Sequence, residues 1–192
     1  MNGSKIYFIS DVHLGHTKVL EFDHRPWNTV EEMNEGLIER WNQKVGKNDH
    51  VYILGDLCWL SGAKAMHLVE KLNGTLHMIR GNHDRMRHSG YAGLFASVKD
   101  YDVIKVRLEN GEKVQVVLCH YPILLYNGHH QGAIHLYGHV HATSEEKDVQ
   151  DMKELLTKRG VKCIMYNAWC GYYDWAPATL DEIISKWTLD NA

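Results

Sequence analysis

Residues 50–56 read HVYILGD, a short run dominated by β-branched, aliphatic and aromatic side chains that ends in a glycine and a carboxylate. Five such residues are the length of a buried strand, and Gly55 supplies a point at which the backbone can turn sharply once the strand ends. Four more runs have the same character: IYFIS (6–10), LHMIR (76–80), VQVVL (114–118) and AIHLY (133–137). Each is followed at once by polar groups able to ligate: Asp11-Val12-His13, Gly81-Asn82-His83-Asp84, Cys119-His120 and Gly138-His139-Val140-His141. In open α/β sheets ligands bind outside the carboxyl ends of the strands, so these side chains are expected to meet along one edge.

The intervening segments read as helices. Val30, Met33, Leu37, Ile38, Trp41 and Val45 recur at helical spacing, with Thr29 as N-cap, Glu32 as its capping-box partner and Gly46 as the stop. A second helix is expected from Ala63 to Leu72, ahead of the Asn73-Gly74 turn, which gives a βαβαβ start. From Val98 the alternating runs on either side of Asn110-Gly111 predict a hairpin with a two-residue turn, so the second half is partly antiparallel. A polar helix over Glu145–Arg159, a strand in VKCIMYNAW (161–169) and a terminal helix over Leu180–Trp187 complete the chain. The expected fold class is α/β, two packed mixed β-sheets flanked by helices, in a single domain over residues 1–192.

Composition narrows the function. Hydrophobic residues at 44% and charged residues at 23% belong to an ordinary globular chain, with no sign of disorder or of a membrane span. A formal net charge of -3 argues against a general nucleic-acid-binding surface. The amino-terminal segment lacks the charged start and long apolar stretch of a signal peptide, and cytoplasmic residence is the expectation. Cys58, Cys119, Cys163 and Cys170 have no C-x-x-C spacing and read as reduced thiols. Histidine is the outlier: 14 residues with no tag-like run, an excess that asks for metal binding or proton transfer.

The candidate ligands are Asp11, His13, Asp56, Asn82, His120, His139 and His141. They mix carboxylate and amide oxygen with imidazole nitrogen and include no thiolate, a set that suits Mn, Fe, Zn, Co or Ni better than Ca or a sulfur-rich zinc site. Seven ligands exceed what one tetrahedral ion takes, so two divalent ions are expected, with Asp56 as the candidate bridge. Two ions against two carboxylates leave a positive centre that attracts phosphate oxygens and lowers the pKa of a bound water. His139 and His141 alternate on an extended segment and so share a face.

The ordered blocks D-x-H, G-D, G-N-H-D, H and G-H-x-H, spanning residues 11 to 141, resemble the calcineurin-like metallophosphoesterase superfamily. The resemblance implies an αββα sandwich and a hydrolase in which Asp11, His13, Asp56 and His141 hold one ion while Asp56, Asn82, His120 and His139 hold the other. It implies that metal-activated hydroxide attacks a phosphate ester while His83 assists the leaving group, with Asp84 as a candidate to orient His83. Manganese is the favoured ion. The chain departs from the protein Ser/Thr phosphatase branch, reading GDLCWLS after the second strand and G-N-H-D in the third block, and it looks closer to small bacterial and phage members. Small phosphoesters or nucleotides are then the expected substrates, phosphodiesters before monoesters. The alternative class is a metal-binding scaffold without turnover.

Outside the blocks, Arg25 in the HRPW segment and Arg85 are candidate phosphate grips, with surface ion pairs as their ordinary alternative. His16 and His24 are candidates to line the site. His129 and His130 sit in a glycine-flanked stretch, while His50, His67, His77, His88 and His135 read as surface, helix or strand positions. Trp41 falls on an apolar helical face, and Trp27, Trp59, Trp169 and Trp175 fall in expected loops.

Overall fold

The computed structural model describes residues 3–86 and 89–189, so His88 lies outside the described residues. In chain order the elements are β1 (Ile6–Ile9), α1 (Val19–Phe22), α2 (Val30–Lys44), β2 (His50–Leu54), α3 (Gly62–Val69), β3 (Thr75–Ile79), α4 (Ser89–Ala92) and β4 (Ser97–Lys99). They continue with β5 (Tyr101–Arg107), β6 (Lys113–Cys119), β7 (Ile134–Tyr137), α5 (Ser144–Lys158), β8 (Ile164–Asn167), β9 (Ala178–Thr179) and α6 (Leu180–Leu189).

One sheet has the order β4-β3-β2-β1-β9, with β1 to β4 parallel and β9 antiparallel at its edge. The other has the order β5-β6-β7-β8, an antiparallel β5/β6 pair continued by parallel strands. Both sheets are therefore mixed. The period of two along each strand explains the layering. Tyr7 and Ile9 of β1 pack with Met33, Leu37 and Trp41 of α2, while Phe8 between them packs with Val116, Leu118 and Leu136 of the second sheet. Val117, one residue out of step, packs with Tyr137 and Met165, and Leu156 of α5 rests on that cluster. The order of layers is helix, sheet, sheet, helix.

At the start of α2 the Thr29 hydroxyl accepts from the Glu32 N–H at 3.2 Å, while the Glu32 carboxylate reaches the N–H of Asn28, one residue before the cap. The hairpin forms, but not through a two-residue turn. β5 and β6 are joined by residues 108–112, closed by Leu108 N–H to the Glu112 carbonyl at 2.8 Å, with Gly111 at φ +89°. A five-residue connection satisfies those groups without requiring Asn110 and Gly111 both to take the left-handed turn geometry. Strands β4 and β9 and helices α1 and α4 were not expected; each is too short to leave a periodic signal. Among the described residues no helix is long and apolar enough to cross a membrane.

Candidate metal centre

All five blocks sit at the carboxyl ends of strands, where the ladders run on as irregular backbone bonds. Asp11 N–H donates to the Gly55 carbonyl at 3.0 Å, His13 N–H to Asp56 at 2.9 Å, and Gly138 N–H to His120 at 2.9 Å. The strand ends approach closely because of glycine: a Cβ on Gly81 would meet Asp56 Oδ1 at 2.2 Å, and one on Gly55 would meet His120 Nδ1 at 2.3 Å. Asp11, His13, Asp56, His139 and His141 all have φ between 47° and 73°, a left-handed conformation uncommon for residues with a Cβ. Such strain persists only where the surroundings over-determine it, and it clusters at functional sites.

The seven candidate ligands converge. Asp11, His13, Asp56, His120 and His141 are buried, His139 is half-buried and Asn82 is exposed. Ligand atoms of Asp11, His13 and His141, and again of Asp11, Asp56 and His120, lie within 4.8 Å of one another and form groups able to hold a metal ion. His13 Nε2 is 3.3 Å from His141 Nε2, and Asp56 Oδ2 is 3.8 Å from His13 Nε2 and 3.7 Å from His120 Nε2.

The donor chemistry fits divalent ions. His120 Nδ1 donates to the Leu54 carbonyl at 2.8 Å, and in the tautomer that this bond selects Nε2 is an acceptor turned toward Asn82 Oδ1 at 3.0 Å. Two acceptors face each other there, an arrangement that a cation or an added proton relieves. Asn82 Oδ1 also lies 3.1 Å from His139 Nδ1. Burial drives the His13 imidazole down to about 3, against the attraction of Asp11, which keeps it neutral at pH 7. Burial also lowers His139, with the neighbouring His120 adding to the effect. For Asp56 burial raises the carboxyl and Asp11 adds to the rise, against His120. For Asp11 burial is outweighed by its hydrogen bond to His141 and the charges of the surrounding histidines, so its carboxyl is lowered. Burial pulls His141 down, but the hydrogen bonds and charges of Asp11 and Asp23 outweigh it and set the ring at about 9. A cation held by Nε2 of His141 would take the place of the proton there.

His83 overhangs the site. Its backbone N–H donates to Asp56 Oδ1 at 2.9 Å and its Nε2 is 4.0 Å from Asp56 Oδ2, with the side chain 41% exposed. Trp59, in the loop after β2, lies between His83, at 4.6 Å between ring centroids, and His16, on which it stacks at 3.8 Å and 5°. These residues line a cleft of about 470 Å³ with Lys18 just before α1, Val19 and Phe22 on it, and Thr143, Ser144 and Glu145 at the start of α5.

Three expectations need correction. Asp84 does not orient His83: its carboxylate accepts the backbone N–H groups of Gly81 and Asp56 at 2.8 Å and of Leu57 at 3.2 Å, pinning the second block to the third. Arg25 is not available to a phosphate. It is 5% exposed, and its five N–H groups are engaged by Asp23, Asp11 O, Val12 O and the Met33 sulfur. Arg85 is exposed and is not among the described residues lining the cleft. His16 does line it; His24, His129 and His130 are not among the lining residues. Asp23, Trp59 and Asn167 were not singled out as site residues and carry no motif; Asp23 and Asn167 contact His141, and Trp59 holds His83.

Comparison with known proteins agrees with this geometry. The family model of the calcineurin-like phosphoesterase superfamily domain matches residues 5–161. Uncharacterized protein MJ1445 of Methanocaldococcus jannaschii is 39% identical over 144 residues, covering 74% of this chain and 72% of its own length. The gene 66 protein of Mycobacterium phage D29 is 35% identical over 166 residues, covering 72% of this chain and 79% of its own. In fold, the chain is similar to the crystal structure of the protein of unknown function AQ665 from Aquifex aeolicus, with TM-score 0.69 at 20% identity over 95% of this chain and 99% of that one. This chain belongs to the calcineurin-like phosphoesterase superfamily.

Proposed function

We propose that this chain is a phosphoesterase that works with two divalent transition-metal ions, manganese first among them, and cleaves phosphodiesters in preference to monoesters. The observation that carries the reading is the position of Asp56 Oδ2 between His13 and His120, at 3.8 and 3.7 Å, with donor atoms of the other ligands arranged on either side. Asp11, His13, Asp56 and His141 would hold one ion and Asp56, Asn82, His120 and His139 the other. Bound there, the ions supply positive charge that polarises the phosphoryl group and lowers the pKa of water.

The chain's own residues do the rest. Asp84 ties the backbone of Asp56 to that of Gly81, the residue before Asn82, and so links the two ligand loops. His83, half-exposed and braced by Trp59, faces the cleft and holds the proton for the leaving oxygen. Burial of Asp11 and His13 excludes water from the back of the site, which strengthens every charge interaction within it.

The preference for diesters follows from the cations that surround the cleft. A monoester dianion carries one more negative charge than a diester, which cationic side chains beside the ions would help to offset. Arg25 is saturated within the fold, and Lys18 is the one lysine or arginine among the described lining residues, which also include Glu145. A singly charged diester suits that balance, and Phe22 on one wall and Trp59 on another leave apolar surface for its organic groups. The test is a screen of aryl and nucleotide mono- and diesters, cyclic nucleotides included, against chelator-stripped protein reloaded with Mn, Ni, Co or Zn. Higher kcat/KM on diesters is expected, and faster turnover of monoesters overturns the preference.

A further inference from the structure

The loop that follows α1 makes an unusual connection to the candidate centre. Asp23 ends α1, His24 adopts a left-handed φ of 51°, and the chain returns so that Arg25 N–H bonds the Leu20 carbonyl at 3.0 Å. That turn brings the Asp23 and Arg25 side chains together behind the site, 2% and 0% exposed. Asp23 Oδ1 accepts from His141 Nδ1 at 2.7 Å, and Asp23 Oδ2 accepts from Arg25 Nε at 3.0 Å and Nη2 at 2.8 Å. The other arm of the guanidinium donates to the carbonyl of Val12 at 2.7 Å, and Nη2 donates also to that of Asp11 at 3.0 Å. Trp175 closes over the guanidinium at 4.8 Å.

We propose that Asp23 and Arg25 act as one positioning unit that sets the ion affinity of the Asp11, His13 and His141 pole, leaving the Asn82, His120 and His139 pole untouched. The inference rests on the reading that both poles hold ions. Its physical basis is that a single charge pair controls all three ligands of one pole. Through Asp23 it keeps the proton of His141 on Nδ1, so that Nε2 is the atom turned toward Asp11 Oδ1 at 3.5 Å. Through Arg25 it holds the two carbonyls within the strained Asp11-Val12-His13 turn, those of Asp11 and Val12, where Asp11 and His13 have φ of 55° and 53°. Asn167 Nδ2 fixes the carbonyl of His141 from the opposite side at 2.8 Å, so the backbone position does not depend on Asp23 while the ring orientation does. Carboxylate partners of this kind orient ligating histidines and raise their basicity.

The test compares the full chain with Asp23→Asn and Arg25→Lys by competitive chelator titration and mass-spectrometric ion counting with zinc or manganese. Two ions of distinguishable affinity are expected in the unaltered chain. In Asp23→Asn one of them weakens about 10–100-fold, while the other moves less than about 3-fold. In Arg25→Lys the same ion weakens. Equal weakening of both ions, or of neither, overturns the inference. Absence of bound ions in the unaltered chain overturns instead the reading on which it rests. A second measurement needs no variant: in the zinc-loaded chain labelled with nitrogen-15, His141 is expected to show a protonated Nδ1 with a downfield, strongly hydrogen-bonded proton. An unprotonated Nδ1 contradicts the proposal even if neither variant folds.

Discussion

The two poles of the candidate centre each pair two histidines with one oxygen ligand, a carboxylate at Asp11 and an amide at Asn82, and they are supported differently. The Asp11, His13 and His141 pole is closed: its side chains are buried, its turn is bonded to Arg25, and its histidine ring is held by Asp23. The Asn82, His120 and His139 pole is open. His120 is buried and tied to Leu54, but Asn82 is exposed, and His139 is half-buried with Tyr121 packed edge-on at 4.7 Å. Ligands of both poles line the cleft, His13 and His141 from one and Asn82 and His139 from the other; the difference teaches that one pole is preset by the fold while the other has the more exposed ligands, so an ion at the open pole is expected to exchange faster.

The largest effect belongs to the group between the poles and the cleft. His83→Ala is expected to lower kcat by about 10²–10⁴-fold with both ions still bound; unchanged turnover removes His83 from the mechanism. At the ligands themselves, Asn82→Ala is expected to lose the open-pole ion and His13→Ala the closed-pole ion, each keeping the other, as read by ion counting. Loss of both ions from either change means the poles are not separable.

Next comes the junction of the second and third blocks. A Cβ at Gly81 collides with Asp56, so Gly81→Ala is expected to destabilise the chain at the upper end of the roughly 1–3 kcal/mol that overpacking costs, measured by denaturant unfolding. A change below about 0.5 kcal/mol shows that Asp56 can move aside at little cost, and that the spacing between the poles is soft.

A smaller effect tests the support beneath the open pole. His135 is buried; its Nδ1–H faces the Val117 carbonyl at 3.1 Å, and its Nε2 accepts from the Ile123 N–H just past His120. Burial lowers it to about 4 from an ordinary 6.5, despite the carbonyls of Val117 beside Nδ1 and Tyr121 beside Nε2, which favour its charged form. Below pH 6.5 the unfolded chain takes up a proton that the folded chain refuses until about pH 4. The stability present at neutral pH therefore falls across that window, by about 2 kcal/mol at pH 5 from this group alone. Titration of His135 by NMR in the folded chain checks this, and an imidazole that charges near pH 6.5 contradicts it.

The sequence made the ligands legible because each follows a strand and strand ends gather on one edge. The same argument predicted two mixed sheets and their helices, and the alternation of Tyr7, Phe8 and Ile9 between two clusters shows why one apolar run serves two layers. What supports the ligands was illegible. Asp23 and Asn167 reach His141 only through the folded chain, across sequence separations of 118 and 26 residues, and neither lies in a recurring block. Arg25 and Asp84 drew attention by type and neighbourhood, yet Arg25 is consumed by Asp23, Met33 and two carbonyls, and Asp84 by backbone N–H groups. A donor beside a site is free for substrate only if the fold leaves its hydrogen bonds unfilled, and sequence does not count them.

The central claim, phosphoester cleavage dependent on both poles, is tested most directly by following hydrolysis of an aryl phosphodiester as manganese is titrated into chelator-stripped protein, with bound ions counted at each point. Turnover that is absent from stripped protein and rises as the second ion fills is the predicted result. Full occupancy of both poles with no cleavage of any mono- or diester, by manganese, nickel, cobalt or zinc, contradicts the account.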